Sequence, residues 1–81
     1  MSELTSLKNI GTGIARKLQS VDIYSAEDLI GIGSKEAFFR LKVRYPNTCL
    51  VFLYVLQGAI DNVEYNRLSE DTKADLKEFN K

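Results

Sequence analysis

Residues 4–18 read LTSLKNIGTGIARKL, two segments with apolar spacing joined by Asn-Ile-Gly-Thr-Gly. Leu4 and Leu7 predict a short first helix, and the apolar positions after the turn predict a second helix. The turn between them needs residues that accept a positive φ, which glycine does freely and asparagine tolerably. The stretch therefore predicts two helices joined by a tight turn. That turn serves either to fold the chain or to hold an anion.

The turn resembles the helix-hairpin-helix pattern of nucleic-acid-binding proteins, in which two short helices flank a glycine–apolar–glycine turn. Ile10 would fill the gap between the helices, and Ala15 would let them approach closely. The amides after the turn would point outward at the start of the second helix, where unpaired N–H groups and a partial positive charge attract anions. The candidate nucleic-acid-binding residues are Lys8, Asn9, Gly11, Thr12, Gly13, Arg16 and Lys17.

Two features of the turn leave a purely structural interpretation open. Asn9 stands where the pattern has its first glycine, and its side chain could occupy the place where a phosphate approaches. Gly13 stands where a lysine is common. A helix–helix turn in a small bundle, or in a domain that binds proteins, explains the same residues.

A second glycine pair repeats the spacing of the first. Gly31-Ile-Gly33 is followed by Ala37, just as Asn9-Ile-Gly11 is followed by Ala15. A paired hairpin would straddle both strands of a duplex. The simpler interpretation is that one helix ends here and the next begins, so a second functional hairpin stays an open alternative.

Capping residues predict a third and a fourth helix. Ser25 and Asp28 have the form of a capping box that opens the third helix, and Gly31 closes it. Ser34 caps the fourth helix. Pro46 ends it, because proline has no amide hydrogen and disfavours the helical conformation of the residue before it.

The segment CLVFLYVLQGAI predicts a fifth helix, which starts from Asn47 or Thr48. It is apolar on nearly every side, as expected of a helix in the middle of a domain. Cys49 is interpreted as a small buried hydrophobe within this helix.

A last helix is capped by Ser69, with Leu76 and Phe79 facing inward. Most of the four tyrosines are expected to lie half in the core with their hydroxyls outward. The predicted fold is all-α, a compact SAM-like bundle of about five to six short helices with a helix-hairpin-helix-like N-terminal part. Eighty-one residues make one domain, residues 1–81, with no room for a second core.

Charge and composition limit the classes of function. Eleven basic side chains balance eleven acidic ones, which argues against a strong nucleic-acid binder. Residues 1–50 hold seven basic and five acidic side chains, whereas residues 51–81 hold four and six. No apolar run is long enough to span a bilayer, and the single cysteine is typical of a reducing compartment. We therefore expect a cytoplasmic protein without a membrane partner.

The residues that enzymes use most are missing or scattered. The chain has no histidine and one cysteine, and no carboxylate spacing suits a metal ion. Gly-Thr-Gly is too short for a nucleotide-binding loop. We predict no enzyme activity, cofactor, metal or small-molecule substrate.

A basic run at the end of the fourth helix has two interpretations. Arg40, Lys42 and Arg44, with Tyr45, could contact phosphates. They could equally complement the negative C-terminus of their own helix, and this second interpretation is favoured.

The order of these segments resembles the TfoX C-terminal domain, a small helical module of bacterial competence regulators that also occurs as free-standing proteins. The resemblance runs from Leu4 to about Phe79. Its most specific parts are Asn9-Ile10-Gly11, Ala37-Phe38 with Leu41-Lys42, and Leu53-Tyr54 with Leu56, Gly58 and Ala59. The departures are Asp22, where the family more often has glycine, and Val55 with Gln57 in a segment that is usually nearer LYALEGA.

The resemblance implies a stand-alone version of the module without the N-terminal domain of full-length regulators, and a regulatory role connected to DNA uptake or transcription. Two functions are compatible with the residues. One is a weak contact with the DNA backbone through the hairpin, without sequence specificity. The alternative is a module that binds a regulatory protein, or itself as a homodimer, without binding nucleic acid.

Overall fold

The computed structural model describes residues 3–79, and within them the chain forms five α-helices, two 3₁₀ turns and no strand. The helices are α1 Thr12–Gln19, α2 Ala26–Ile32, α3 Ser34–Arg44, α4 Leu50–Asp61 and α5 Glu70–Phe79, and the 3₁₀ turns are Leu4–Ser6 and Tyr65–Arg67. The predicted all-α bundle is confirmed. Its first predicted helix is a single 3₁₀ turn, closed by the Leu7 amide, which donates to the Leu4 carbonyl at 3.0 Å.

Helix α4 is central to the bundle, as its apolar sequence predicts. It packs against α3, α5 and the Tyr65–Arg67 turn. Leu53, Leu56 and Ala59 on α4 are buried. The largest fully buried side chains of the described residues are Leu18, Ile23, Leu29, Leu41, Leu53, Leu56 and Leu76. Every described α-helix contributes at least one buried side chain to this core. A chain this short can form a hydrophobic core because all its helices share in it.

The junction between α2 and α3 differs from the prediction at two positions. Gly31 lies inside α2 instead of closing it, and Gly33, at φ 89°, makes the break. A φ of 89° combined with a ψ of 159° is cheap only for glycine, so Gly33 fixes the end of the helix. Ser34 does not cap α3. Its buried hydroxyl donates to Gln57 Oε1 at 2.5 Å and ties the start of α3 to α4.

Two predicted caps are confirmed. The Ser25 hydroxyl accepts the Asp28 amide at 3.1 Å, and the Asp28 carboxylate accepts the Tyr24 amide at 3.1 Å. The Ser69 hydroxyl accepts the Thr72 amide at 3.1 Å at the start of α5. In each case the serine hydroxyl takes up an amide that the helix itself leaves unbonded.

Several predicted burial states are wrong. Tyr24 and Tyr65 are 59% and 43% exposed instead of half-buried. Cys49 is exposed, because it is the extended N-cap residue just before α4 instead of part of its apolar face. Phe79 is 42% exposed, since Leu76 alone anchors α5 in the core. Tyr54 keeps its hydroxyl inside the protein, where no hydrogen-bond partner within the described residues reaches it.

Candidate nucleic-acid interface

The hairpin is built by a sharp reversal between the Leu4–Ser6 turn and α1. Asn9 adopts φ 70°, the left-handed conformation that the sequence predicts. Ile10 and Ala15 are each 5% exposed and fill the space between the two segments. Gly11 is the extended N-cap of α1, at φ −93° and ψ −179°. The predicted hairpin is therefore present, with a 3₁₀ turn as its first arm.

The amides at the start of α1 are open to solvent. The first helical bond runs from the Ala15 amide to the Gly11 carbonyl at 2.9 Å. Among the hydrogen bonds formed within residues 3–79, none uses the amides of Gly11, Thr12 or Gly13, and no side chain caps this end. All three residues are exposed, and a Cβ added at either glycine would meet open space. Unpaired amides at the start of a helix are the feature that anion sites use.

The Asn9 side chain turns away from this surface and into the protein. Its Nδ2 donates to the Val63 carbonyl at 3.1 Å and lies 3.5 Å from the Val55 carbonyl, and its Oδ1 accepts the Tyr65 amide at 3.3 Å. Gly58 makes room for the amide, since a Cβ there would lie 2.6 Å from Asn9 Nδ2 and 2.7 Å from the Val63 oxygen. Asn9 therefore clasps the hairpin to the C-terminal end of α4 and leaves the amide surface uncovered.

The Arg16 side chain lies on the same side of α1 as the Thr12 side chain, because Arg16 follows Thr12 by four residues. The two residues line an open cleft of about 420 Å³ with Glu3 and Tyr24. Glu3 places one carboxylate in the lining of this cleft. The pKa of Tyr24 is raised, because its hydroxyl donates to the Asp22 carboxylate at 2.9 Å and that charge opposes ionisation.

Lys17 lies one turn beyond Gly13 but leans toward the junction of α3 and α4. Its Nζ is 5.0 Å from the ring centre of Phe52 and 5.4 Å from that of Tyr45, both within cation–π range. With Arg44, these residues line a cleft of about 380 Å³ that has no carboxylate on its walls. The Ser20 hydroxyl lies 3.0 Å from the Tyr45 hydroxyl.

Those neighbours change the acidity of the Tyr45 phenol. Its pKa is lowered by hydrogen bonding from Ser20 and Arg44, and further by the positive charges of Arg44 and Lys17. The structure thus groups Lys17 with Arg44 and Tyr45. The sequence alone places Arg44 and Tyr45 at the end of their own helix and does not link them to Lys17. Local sequence carries no signal of this contact, because 27 positions separate Lys17 from Arg44.

The structure therefore divides the seven predicted residues into three groups. The amides of Gly11, Thr12 and Gly13 form one exposed surface. The cations flank it on different sides, since Arg16 and Lys17 line separate clefts and Lys8 is exposed in the segment before the turn. The Asn9 side chain faces the interior.

The amino-acid sequence matches the model of one protein family. The model of the TfoX C-terminal domain matches residues 1–80. The chain belongs to the TfoX C-terminal domain family. None of the curated proteins is significantly similar to it.

Two solved structures share this TfoX C-terminal fold. An uncharacterized protein from Listeria monocytogenes in a triclinic crystal form is 35% identical, with a TM-score of 0.93 over 96% of this chain and 89% of that one. A protein of unknown function from Listeria monocytogenes in a tetragonal form is also 35% identical. Its TM-score is 0.91 over 95% of this chain and 94% of that one. The similarity covers the hairpin and the whole bundle.

The second glycine segment of this TfoX C-terminal domain has different surroundings from the first. Ser34, at the start of α3, is buried against Gln57. Lys35 Nζ lies 2.8 Å from the Asp75 carboxylate, so a negative charge already stands beside this helix start. Because Lys35 is already paired with this carboxylate, it adds little attraction for a phosphate, and these contacts favour a structural junction between α2 and α3.

Neither a membrane-spanning helix nor a metal-binding cluster occurs among the described residues. No helix within residues 3–79 has both the length and the apolar character needed to cross a bilayer. In the same part of the chain, no three or more His, Cys, Asp or Glu side chains are grouped closely enough to hold a metal ion.

Proposed function

We propose that this TfoX C-terminal domain is a non-enzymatic regulatory module that binds the phosphate backbone of DNA weakly and without reading its sequence. The observation that carries the proposal is the exposed surface formed by the amides of Gly11, Thr12 and Gly13, which no acceptor within residues 3–79 occupies. Amides at a helix start bind phosphate through hydrogen bonds and the helix dipole, neither of which depends on base identity.

The surrounding charges support a weak complex. Arg16 and Lys17 each lie one turn beyond the exposed amides, and Lys8 is exposed beside the turn. Both α1 cations also lie in its last turn, where they complement the negative end of the helix. Two or three phosphate contacts imply a Kd of about 10⁻⁴ to 10⁻⁶ M and a slope of log K against log salt of about −2 to −3.

Removing one amide tests the proposal most specifically. Thr12 is the first residue of α1, a position that tolerates proline, and Gly11 before it is already extended. Thr12→Pro therefore deletes one donor while the helix stays intact, whereas Thr12→Ala deletes the side chain and keeps the donor. We expect fluorescence anisotropy with a labelled duplex of about 20 base pairs to show several-fold weaker binding for Thr12→Pro alone. Equal affinity of the two variants would refute the amide contact.

Charge reversal tests the cations separately. Arg16→Glu should weaken binding by about tenfold and flatten the salt slope by about 1 or more, because it removes a cation near the phosphate. Lys77→Glu, an identical change of charge on the exposed side of α5, should alter the affinity by less than about twofold. Binding that does not change between low and moderate salt would contradict a backbone complex.

The remaining parts of the proposal have separate support. The regulatory role rests on membership of the TfoX C-terminal domain family. A cytoplasmic location rests on the single cysteine, which is typical of a reducing compartment. The alternative function, protein interaction, is favoured by a different surface, the outer face of α3, where Phe39 and Val43 are exposed.

A further inference from the structure

The outer face of α3 carries an apolar ridge with no partner in the protein. Phe39 is 57% exposed and Val43 is 67% exposed, and their i, i+4 spacing places them on one side of the helix. Phe79 of α5, which is 42% exposed, lies beside Phe39 across a shared cleft. A contiguous group of large exposed apolar side chains is unusual on a small monomer and is typical of an interaction site.

Shallow clefts run along both flanks of this α3 ridge. On one side a cleft of about 170 Å³ is lined by Phe38, Phe39, Lys42 and Phe79. On the other side, a cleft of about 420 Å³ runs past Val43 to the end of α1. A ridge between two clefts fits a helix whose apolar side chains recur at i, i+3 and i+4, since such side chains can insert on both flanks.

Helix α3 carries four cationic side chains and one carboxylate. Arg40, Lys42 and Arg44 follow one another on the helix without an intervening carboxylate. Arg40 Nε already neutralises Glu36 at 3.2 Å, whereas no carboxylate within residues 3–79 forms an ion pair with Lys42 or Arg44.

Two carboxylates lie near this surface. Asp75 is paired with Lys35 at 2.8 Å, whereas Asp22 keeps its negative charge at the far end of the larger cleft, where it accepts the Tyr24 hydroxyl at 2.9 Å. The acidic side chains of a partner therefore belong beside Lys42 and Arg44, away from Asp22. A partner that carries acidic side chains beside its apolar stripe therefore complements the ridge.

We infer that the α3 ridge docks an acidic amphipathic helix of another protein. A second copy fits poorly, because two α3 faces would oppose Arg40, Lys42 and Arg44 with the same cations. Helix α5 is acidic, but Leu76 is buried in its own core and leaves no free apolar stripe to offer. Nucleic acid would leave Phe39 and Val43 without apolar contacts. This inference concerns a different surface from the hairpin and does not rest on the DNA proposal.

A synthetic peptide tests the inference. The probe is a helical peptide of about 18 residues with Leu at i, i+3, i+4 and i+7 and Glu on the flanks. A scrambled peptide of the same composition lacks the stripe. A ¹⁵N chemical-shift titration of the full chain should show saturable changes on α3 with the first peptide and none with the second. Changes confined to residues outside α3 and α5, or the same response to both peptides, would overturn the inference.

Substitutions on the α3 ridge measure its contribution. Phe39→Ala with Val43→Ala should weaken peptide binding by about tenfold or more, and both side chains are exposed enough for the fold to survive their truncation. Val51→Ala with Tyr65→Ala removes exposed apolar surface elsewhere and should leave binding within about twofold. Equal weakening by both pairs would refute the α3 ridge as the site.

Separate experiments test whether the partner must be acidic, and whether a second copy or DNA binds the α3 ridge instead. Lys42→Gln with Arg44→Gln should weaken the Glu-flanked peptide more than Lys8→Gln with Lys77→Gln does, and the difference should disappear at high salt. Sedimentation equilibrium should show a monomer. A dimer that Phe39→Ala abolishes would replace the acidic partner with a second copy. Duplex DNA that shifts the α3 ridge instead of the hairpin would equally contradict the inference.

Discussion

Replacing Asn9 by glycine separates two roles of this residue. Glycine is the residue that the hairpin pattern has at this position, and it adopts the observed φ of 70° without strain. If Asn9 serves only the turn, Asn9→Gly should be harmless. The structure predicts otherwise, because the side chain donates to the Val63 carbonyl at 3.1 Å and accepts the Tyr65 amide at 3.3 Å.

The expected loss follows from those two hydrogen bonds. Each contributes about 1 kcal/mol to the free energy of unfolding, and the contact of Asn9 with the Val55 carbonyl at 3.5 Å is too long to add much. The added freedom of glycine in the unfolded chain removes about 0.5–1 kcal/mol more. Asn9→Gly should therefore lower the stability by about 2–3 kcal/mol. For a domain of this size, that corresponds to a fall in Tm of about 8–24 °C.

Urea denaturation followed by circular dichroism measures this loss, with Asn47→Gly as the matched control. Asn47 is exposed in the turn between α3 and α4, so its replacement changes mainly the unfolded chain. The control should lose no more than about 1 kcal/mol, with the same slope against urea for both variants. An Asn9→Gly protein as stable as the control would refute the clasp between the hairpin and α4.

Two further substitutions test the packing around α4. Gly58→Ala should destabilise the protein by about 1–3 kcal/mol despite the better helix propensity of alanine, since its Cβ would lie 2.7 Å from the Val63 oxygen. In the same urea denaturation, Gly13→Ala, whose Cβ meets open space, should be neutral or stabilising. Tyr54→Phe should leave the free energy of unfolding unchanged or raise it by up to about 1 kcal/mol, because it removes a buried hydroxyl that no described group bonds. A loss above about 1 kcal/mol would mean that this hydroxyl has a partner.

Much of the fold was predictable because local sequence determines it. The apolar run before Gln57 and Gly58 predicts the central helix, and that helix is α4. Asn9 takes the positive φ that the predicted turn requires, at 70°, and Asp22, which stands where the family more often has glycine, takes one at 67°. Ser25 and Ser69 bond the amides that their capping positions predict. Each of these features depends on residues within a few positions of one another.

Other features depend on residues far apart in the chain. Gly31 and Gly33 are locally alike, and packing selects Gly33 for the break because Ser34 bonds Gln57, 23 positions away. Cys49 belongs by sequence to an apolar run, yet the helix starts one residue later and leaves it exposed. No local pattern could predict these choices, since each depends on which surface meets another element.

The candidate site shows the same division. The exposed amides at the start of α1 follow from the hairpin pattern alone. The inward turn of the Asn9 side chain depends on Val63 and Tyr65, more than 50 positions away. The contact of Lys17 with Tyr45 and Phe52 likewise depends on how α1 meets the α3–α4 junction.

The most direct test of the central claim is a ¹⁵N chemical-shift titration of the full chain with a short DNA duplex at low and moderate salt. We predict that the amide resonances of Gly11, Thr12 and Gly13 move together toward saturation, and that added salt reverses the movement. Resonances that stay in place throughout, or that move only elsewhere in the domain, would contradict a phosphate contact at the hairpin.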